Sequence, residues 1–133
     1  PYLEYSFVRA LSLLQKSNRD CFSPEFLPSS QEFIRTLNET QLLQEESELL
    51  RHMLHFQEIV LKSAQTLSPS YICSYLHDLA SKFNTFYANV PVLSCNDGEP
   101  ETKQHLRLMI TKSFCLIMNT GLHILGIETV SRM

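Results

Sequence analysis

The sequence predicts an all-α antiparallel helical bundle, on three observations. Apolar residues recur at helical spacing through most of the 133 residues. No segment alternates with the period of a strand, and only three glycines and no tryptophan are present, too few turn formers for a fold of many short strands. The 44% hydrophobic and 19% charged composition suits one soluble domain with a single core. The chain opens at Pro1-Tyr2 without an initiator methionine, which predicts that 1–133 is one domain from the C-terminal end of a longer protein.

The first helix is expected from about Tyr2 to Lys16. Leu3, Phe7, Ala10, Leu11 and Leu14 form its apolar stripe, while Tyr2, Tyr5, Arg9, Ser12 and Lys16 fall on another face. Residues 18–44 read as a long connector, with Pro24, Pro28 and scattered apolar residues, and room for a short helical turn around Gln31 to Leu37. A second helix is expected over about Glu45 to Leu67. Leu49, Leu50, Met53, Leu54, Ile59, Val60, Ala64 and Leu67 mark its buried side, and the apolar spacing slips near Phe56, where a break is expected. Glu45, Glu46 and Glu48 stand at its start, where the helix dipole favours negative charge.

Ser68-Pro69 signals the start of the third helix, serine as cap and proline in the first turn. Its core face reads Ile72, Leu76, Leu79, Ala80, Phe83, Phe86 and Tyr87, and Pro91 ends it. After a turn-rich loop the last helix runs from about Pro100 to Leu125. Apolar residues lie on most of its sides, which predicts a central position, and Gly126 is the expected C-terminal cap. This run contains Arg107, Lys112, Asn119 and His123, so it reads as a buried helix and not a membrane span. The opening residues read as the start of a helix and not as a signal peptide.

The net charge of −3 gives no global basic field for seizing nucleic acid, so any such contact must be local. Cys21, Cys73, Cys95 and Cys115 show neither zinc spacing nor a CxxC pair, which reads as free thiols in a reducing compartment. His52 and His55 are three apart, but nothing adjacent completes a metal site. No phosphate-binding glycine loop or nucleophile elbow is present, which argues against catalysis by this segment. Lys103, Arg107 and Lys112 make no basic stripe.

A binding patch is easier to find. Tyr2, Tyr5 and Arg9 recur about one turn apart, so that two rings and a guanidinium share a face suited to unpaired bases. By pattern alone ordinary packing with wet hydroxyls is the favoured reading of Tyr2 and Tyr5, and a core edge that of Tyr87.

Several segments together resemble one family. The opening Pro1 to Arg9 is similar to the start of the C-terminal helical domain of arginyl-tRNA synthetases, with its Tyr-x-x-Tyr-x-x-x-Arg spacing. Glu48 to Arg51 with Phe56 to Val60 resembles a second block, with Gln57 where a proline is common. Tyr75 to Tyr87 resembles a third; Leu106 to Leu108, Asn119 to Ile127 and the terminal Arg132-Met133 resemble a fourth. Gln104-His105-Leu106-Arg107 is the nearest trace of the Asp-Ala-Leu-Arg motif that names the domain.

The resemblance implies a helical bundle of the class I tRNA synthetase anticodon-binding type. It implies that Tyr2, Tyr5, Arg9, Tyr87 and Met133 contact the anticodon loop of arginine tRNA and help identify its central cytosine. The catalytic HIGH-type motif and the nucleotide-binding fold belong to a preceding domain. ATP with magnesium and arginine would be used there, and this segment itself would hold no cofactor or metal. The implied partners are arginine tRNA and the chain's own catalytic domain, with no membrane and no DNA. The implied compartment is the cytoplasm, an organelle being the alternative. A non-catalytic adaptor that brings arginine tRNA to a modifying enzyme is the alternative parent, and a helical protein-interaction module without an RNA role is a third reading.

The tail from Ile124 to Met133 would then form one wall of the anticodon pocket, with the soft Met133 side chain against a base. Deleting Arg132 and Met133 is therefore expected to impair tRNA use more than folding. Parallel measurement of aminoacylation and thermal unfolding checks this.

Overall fold

The computed structural model describes residues 1–17, 30–39, 41–94, 98–99 and 101–130. The order is α1 (Tyr2–Lys16), α2 (Ser30–Glu39), α3 (Gln44–Leu54), α4 (Phe56–Thr66), α5 (Ser70–Asn89) and α6 (Glu101–Ile124). No strand occurs among the described residues, and none of their helices is long and apolar enough to cross a membrane.

Contacts between helices fix their directions. Tyr2 meets His77 and Arg9 bonds Asn84, so α1 runs parallel to α5. Asn89 of α5 bonds Glu45, while Tyr75 bonds His52, so α3 is antiparallel to α5. Phe114 stacks on Phe83 at 4.0 Å and Gly121 abuts Leu76, which makes α6 antiparallel too. The main helices therefore alternate in direction along the chain, the second being α3 and α4 in tandem. Helix α5 touches α1, α3, α4 and α6, whereas α6 touches α1, α3 and α5, so two helices share the centre where the sequence pointed to one.

Burial follows the apolar periodicity closely on α5. Ile72, Leu76, Leu79, Ala80, Phe83 and Phe86 are all buried, and Tyr75 joins them, its hydroxyl donating to the His52 carbonyl at 2.8 Å. On α1 the buried set is Ser6, Phe7, Ala10 and Leu13, with Leu3, Leu11 and Leu14 packed at its margin. The expected break near Phe56 falls at His55, between α3 and α4. It resets the helical phase, so the single buried stripe read across Glu45 to Leu67 does not persist. Leu54 and Leu67 are 79% and 90% exposed, and Ala64 is exposed.

Three further expectations are corrected. The connector read over 18–44 contains a ten-residue helix, α2, and the start of α3; residues 18–29 and 40 lie outside the described residues. Ser68 makes no cap bond to the backbone of α5. Pro69 occupies the cap position, and the Ser68 hydroxyl pairs with that of Ser70 at 2.7 Å. Ser68 instead closes α4: its N–H bonds the Ser63 carbonyl across Leu67, which takes the left-handed conformation (φ 51°) that usually falls to glycine. Gly126 does take that role on α6. With φ at +76°, its N–H reaches the His123 carbonyl and that of Ile127 reaches Leu122, a Schellman closure.

The third correction concerns charge. Glu46, read only as one of three acids favoured by the helix dipole, is fully buried, as is Arg107, and Lys103 is nearly so. Arg107 donates through Nε to Glu46 Oε1 at 2.8 Å and through both terminal nitrogens to Glu99 at 2.9 and 2.8 Å. Its Nη1 also reaches the Pro91 carbonyl at 3.0 Å. Lys103 Nζ donates to Glu46 Oε2 at 2.9 Å and to the Gln41 carbonyl at 2.8 Å. The same Oε2 accepts the Leu43 N–H at 2.9 Å, the acidic half of a capping box. Two acids and two bases sum to zero net charge. The network ties the entry to α3, the turn after α5 and the first half of α6 together.

Burial alone would push the Glu46 carboxyl upward, but the bonds from Arg107, Leu43 and Lys103 outweigh it and hold the carboxyl below the usual range. The acid is therefore ionised more readily folded than unfolded. Its contribution is complete above the ordinary value of 4.5 and is lost as pH falls through the lower folded value. Glu46→Gln removes that charge and leaves two buried cations short of a partner, at a cost of about 3–5 kcal/mol. Chemical denaturation at neutral pH measures this, and across the acid range the variant should lose the part of the pH dependence that Glu46 supplies.

Candidate functional site

The α1/α5 pair presents a polar, aromatic stripe. Positions 77, 84 and 87 of α5 face positions 2, 5, 6 and 9 of α1. The helical spacing that put Tyr2, Tyr5 and Arg9 near one another in the sequence holds in space, and Tyr87, far away in the chain, joins them. Tyr2, Tyr5 and Tyr87 remain 43%, 50% and 39% exposed.

Arg9 is the centre of the stripe. Its guanidinium carbon lies 4.5 Å from the Tyr5 ring centroid and 4.6 Å from that of Tyr87, so the cation is held between two aromatic rings. Nη2 donates to the Tyr5 hydroxyl at 2.7 Å and Nη1 to Asn84 Oδ1 at 3.0 Å. The Asn84 amide donates to Ser6 Oγ at 2.9 Å and to the Tyr2 hydroxyl at 3.2 Å. Ser6 is fully buried and donates to the Tyr2 carbonyl at 3.1 Å. The Tyr2 ring in turn lies 5.2 Å from that of His77. From His77 to Tyr87 the stripe extends along α5 for about 15 Å.

The chemistry offered is that of hydrogen-bond donors on flat surfaces. Arginine has five N–H groups and accepts nothing, and two of its nitrogens are engaged here. The Tyr2 and Tyr5 oxygens both accept from their neighbours, so each can turn its own hydrogen outward. A ligand with acceptors and π-faces fits such a stripe.

Of the five residues proposed from the sequence, four therefore meet: Tyr2, Tyr5, Arg9 and Tyr87. Met133 lies outside the described residues. The tail before it can be followed to Val130, and Thr129 donates to the Asn119 side chain at 2.8 Å, which folds this segment back along α6. Because Gly121 meets Leu76 while Tyr2 meets His77, α6 finishes at the Tyr2 end of the stripe. Sequence reasoning missed Asn84 and His77. The spacing of 77, 84 and 87 on one face of α5 was the available signal, but which face meets α1 is a tertiary fact.

A second concavity lies elsewhere, at the junction of α4, α5 and the end of α6. It is an open groove of about 500 Å³ lined mainly by Leu67, Pro69, Ile72, Ile124, Leu125 and Ile127. It has no charged lining and no cluster of titratable groups. Metal chemistry finds no support among the described residues, where no three His, Cys, Asp or Glu side chains come together. His52 is half-buried and stacked on Tyr75 at 4.4 Å, and its Nε2 donates to the Tyr75 carbonyl at 3.2 Å. Burial lowers its pKa from the usual value, which keeps the ring neutral. Cys115 is buried, its thiol pushed up to about 12 by loss of solvent, and Cys73 is exposed; both are unbridged.

The sequence and the fold are similar to those of known proteins. Arginine–tRNA ligases from several Escherichia coli strains are 35% identical over 133 residues, covering 100% of this chain and 21% of theirs. The arginyl-tRNA synthetase of Thermus thermophilus superposes with a TM-score of 0.78 at 30% identity, over 100% of this chain and 21% of that one. A putative arginyl-tRNA synthetase from Campylobacter jejuni shares the fold, with a TM-score of 0.77 at 19% identity, over 99% and 26% of the two chains. The chain thus spans about a fifth of the length of these curated relatives. The family described as the DALR anticodon binding domain matches residues 3–133, and with the helical bundle and its α1/α5 stripe in place the chain belongs to that family.

Proposed function

We propose that this domain binds the anticodon loop of arginine tRNA through the α1/α5 stripe. In doing so it positions the tRNA for ATP-dependent attachment of arginine by the catalytic domain of a full-length arginine–tRNA ligase. ATP, magnesium and arginine are assigned to that domain, and the full-length protein to the cytoplasm. The supporting observation is the Arg9 guanidinium held between Tyr5 and Tyr87, with Tyr2 beside it on the same exposed face. Bases splayed from an anticodon loop offer π-faces to such rings. The pairing edge of cytosine offers two acceptors, N3 and O2, to the arginine and phenol donors. The modest net charge of −3 suits reading by stacking and directed hydrogen bonds, with much of the phosphate contact left to the rest of the protein.

Met133 is proposed to add an apolar contact to the same loop from the tail. The relatives that match along the whole chain are named ligases, which favours a ligase parent over an adaptor.

Tyr87→Ala in the full-length protein tests the reading. Loss of one base–aromatic stack costs about 1–3 kcal/mol, so kcat/KM for arginine tRNA should fall on the order of tenfold or more while the domain stays folded. Aminoacylation within a factor of two of the parent would remove Tyr87 from the site.

A further inference from the structure

We infer that Asn84 is a positioning residue for RNA recognition, setting the geometry of Arg9 and Tyr2 without itself contacting the RNA. This rests on the reading of the α1/α5 stripe as the RNA-binding face. The warrant is the way its amide is used up. An asparagine side chain has two N–H donors and one carbonyl oxygen. Here one nitrogen serves Ser6 Oγ at 2.9 Å and the Tyr2 hydroxyl at 3.2 Å, while the oxygen accepts Arg9 Nη1 at 3.0 Å. Both donors are spent within the protein.

The orientation of the amide is also fixed. Arginine can only donate, so the side that faces Arg9 must be the oxygen. A rotated amide would set N–H against N–H and lose the bond. Ser6 is fully buried, so the nitrogen side is anchored in the interface between α1 and α5 and not at the solvent edge. The side chain thus acts as a three-way connector, its nitrogen anchored in the packed interface and its oxygen toward the solvent-facing guanidinium.

Two consequences follow for recognition. Arg9 is held between the Tyr5 and Tyr87 rings with one bond from each terminal nitrogen, so its rotamer is chosen before RNA arrives and its other N–H groups point from a fixed plane. Tyr2 receives an N–H on its oxygen, which leaves its own hydrogen to be donated outward. Pre-ordering of this kind lowers the cost of immobilising flexible side chains on binding. No smaller residue replaces it: a serine is too short to span three partners, and an alanine frees Arg9 to follow solvent.

The experiment compares Asn84→Ala, Arg9→Ala, the double variant and Tyr87→Ala in the full-length protein, measuring kcat, KM for arginine tRNA and thermal unfolding. Losing a hydrogen bond to a charged group corresponds to a change of about tenfold. N84A should therefore raise KM about tenfold with kcat close to the parent and any fall in unfolding temperature too small to account for the KM change. The double variant should lose clearly less than the sum of the two single losses, because Asn84 acts in large part through Arg9. Should N84A fail to fold, Asn84→Ser carries the same expectation.

An N84A enzyme with parental KM, beside an impaired Y87A, overturns the inference and leaves the RNA-binding reading standing. Parental KM in Y87A, R9A and N84A alike overturns both. Fully additive losses in the double variant, or a fall in unfolding temperature that accounts for the KM change, would make Asn84 an ordinary packing residue and also overturn the inference.

Discussion

The buried Glu46 carboxylate is the constraint on which the rest of this bundle depends. Two side-chain donors from α6 and the Leu43 backbone N–H converge on its two oxygens, and Arg107 passes the connection on to Glu99 and Pro91. A charge removed from water this completely is tolerated only when every lone pair is answered. That requirement selects one register of α3 against α6 where apolar side chains would accept several. Arg107 also ends Gln104-His105-Leu106-Arg107, the segment that resembles the Asp-Ala-Leu-Arg motif. Its burial gives that position a structural part here: it locks the turn after α5 to α6. Gln104, at the start of the same segment, caps the same turn by donating to the Leu93 carbonyl at 2.6 Å.

With α3 and α6 set, α5 is enclosed on its apolar sides, and its remaining face is left for α1. There the packing changes character. Apolar contacts such as the Phe83–Phe114 stack hold the centre, while the α1/α5 seam is joined by hydrogen bonds that run from buried Ser6 through Asn84 to the solvent-facing Arg9. The same hydrogen bonds that join the two helices therefore also order the donors of the candidate site. Under the proposed function, fold and recognition share these few atoms, which gives a reason for a polar seam where an apolar one would hold the helices equally well.

Much of this was legible in the sequence, and what was not has a physical reason. The apolar period of α5 named its buried face almost residue by residue, and the slip near Phe56 located the break between α3 and α4. Tyr2, Tyr5 and Arg9 were legible because their spacing is local to one helix. Tyr87 needed the family resemblance, and Asn84 was invisible because its meaning lies in partners 75 to 82 residues away. The ionic network was hidden likewise: Glu46 and Arg107 are 61 residues apart, and charged residues on helices ordinarily face water. Leu54 and Leu67 misled in the opposite sense, since an apolar residue at the end of a broken helix can miss the core altogether.

The central claim is that RNA meets the donor-rich α1/α5 stripe and not the apolar groove between α4, α5 and the end of α6. Photochemical crosslinking of an arginine anticodon stem-loop to the full-length protein, with the modified residues mapped by mass spectrometry, tests it most directly. Crosslinks at Tyr2, Tyr5 and Tyr87, lost when the central base is changed, are the result predicted. Crosslinks confined to the groove around Ile72, Cys73 and Ile127, or a pattern indifferent to the central base, would contradict it.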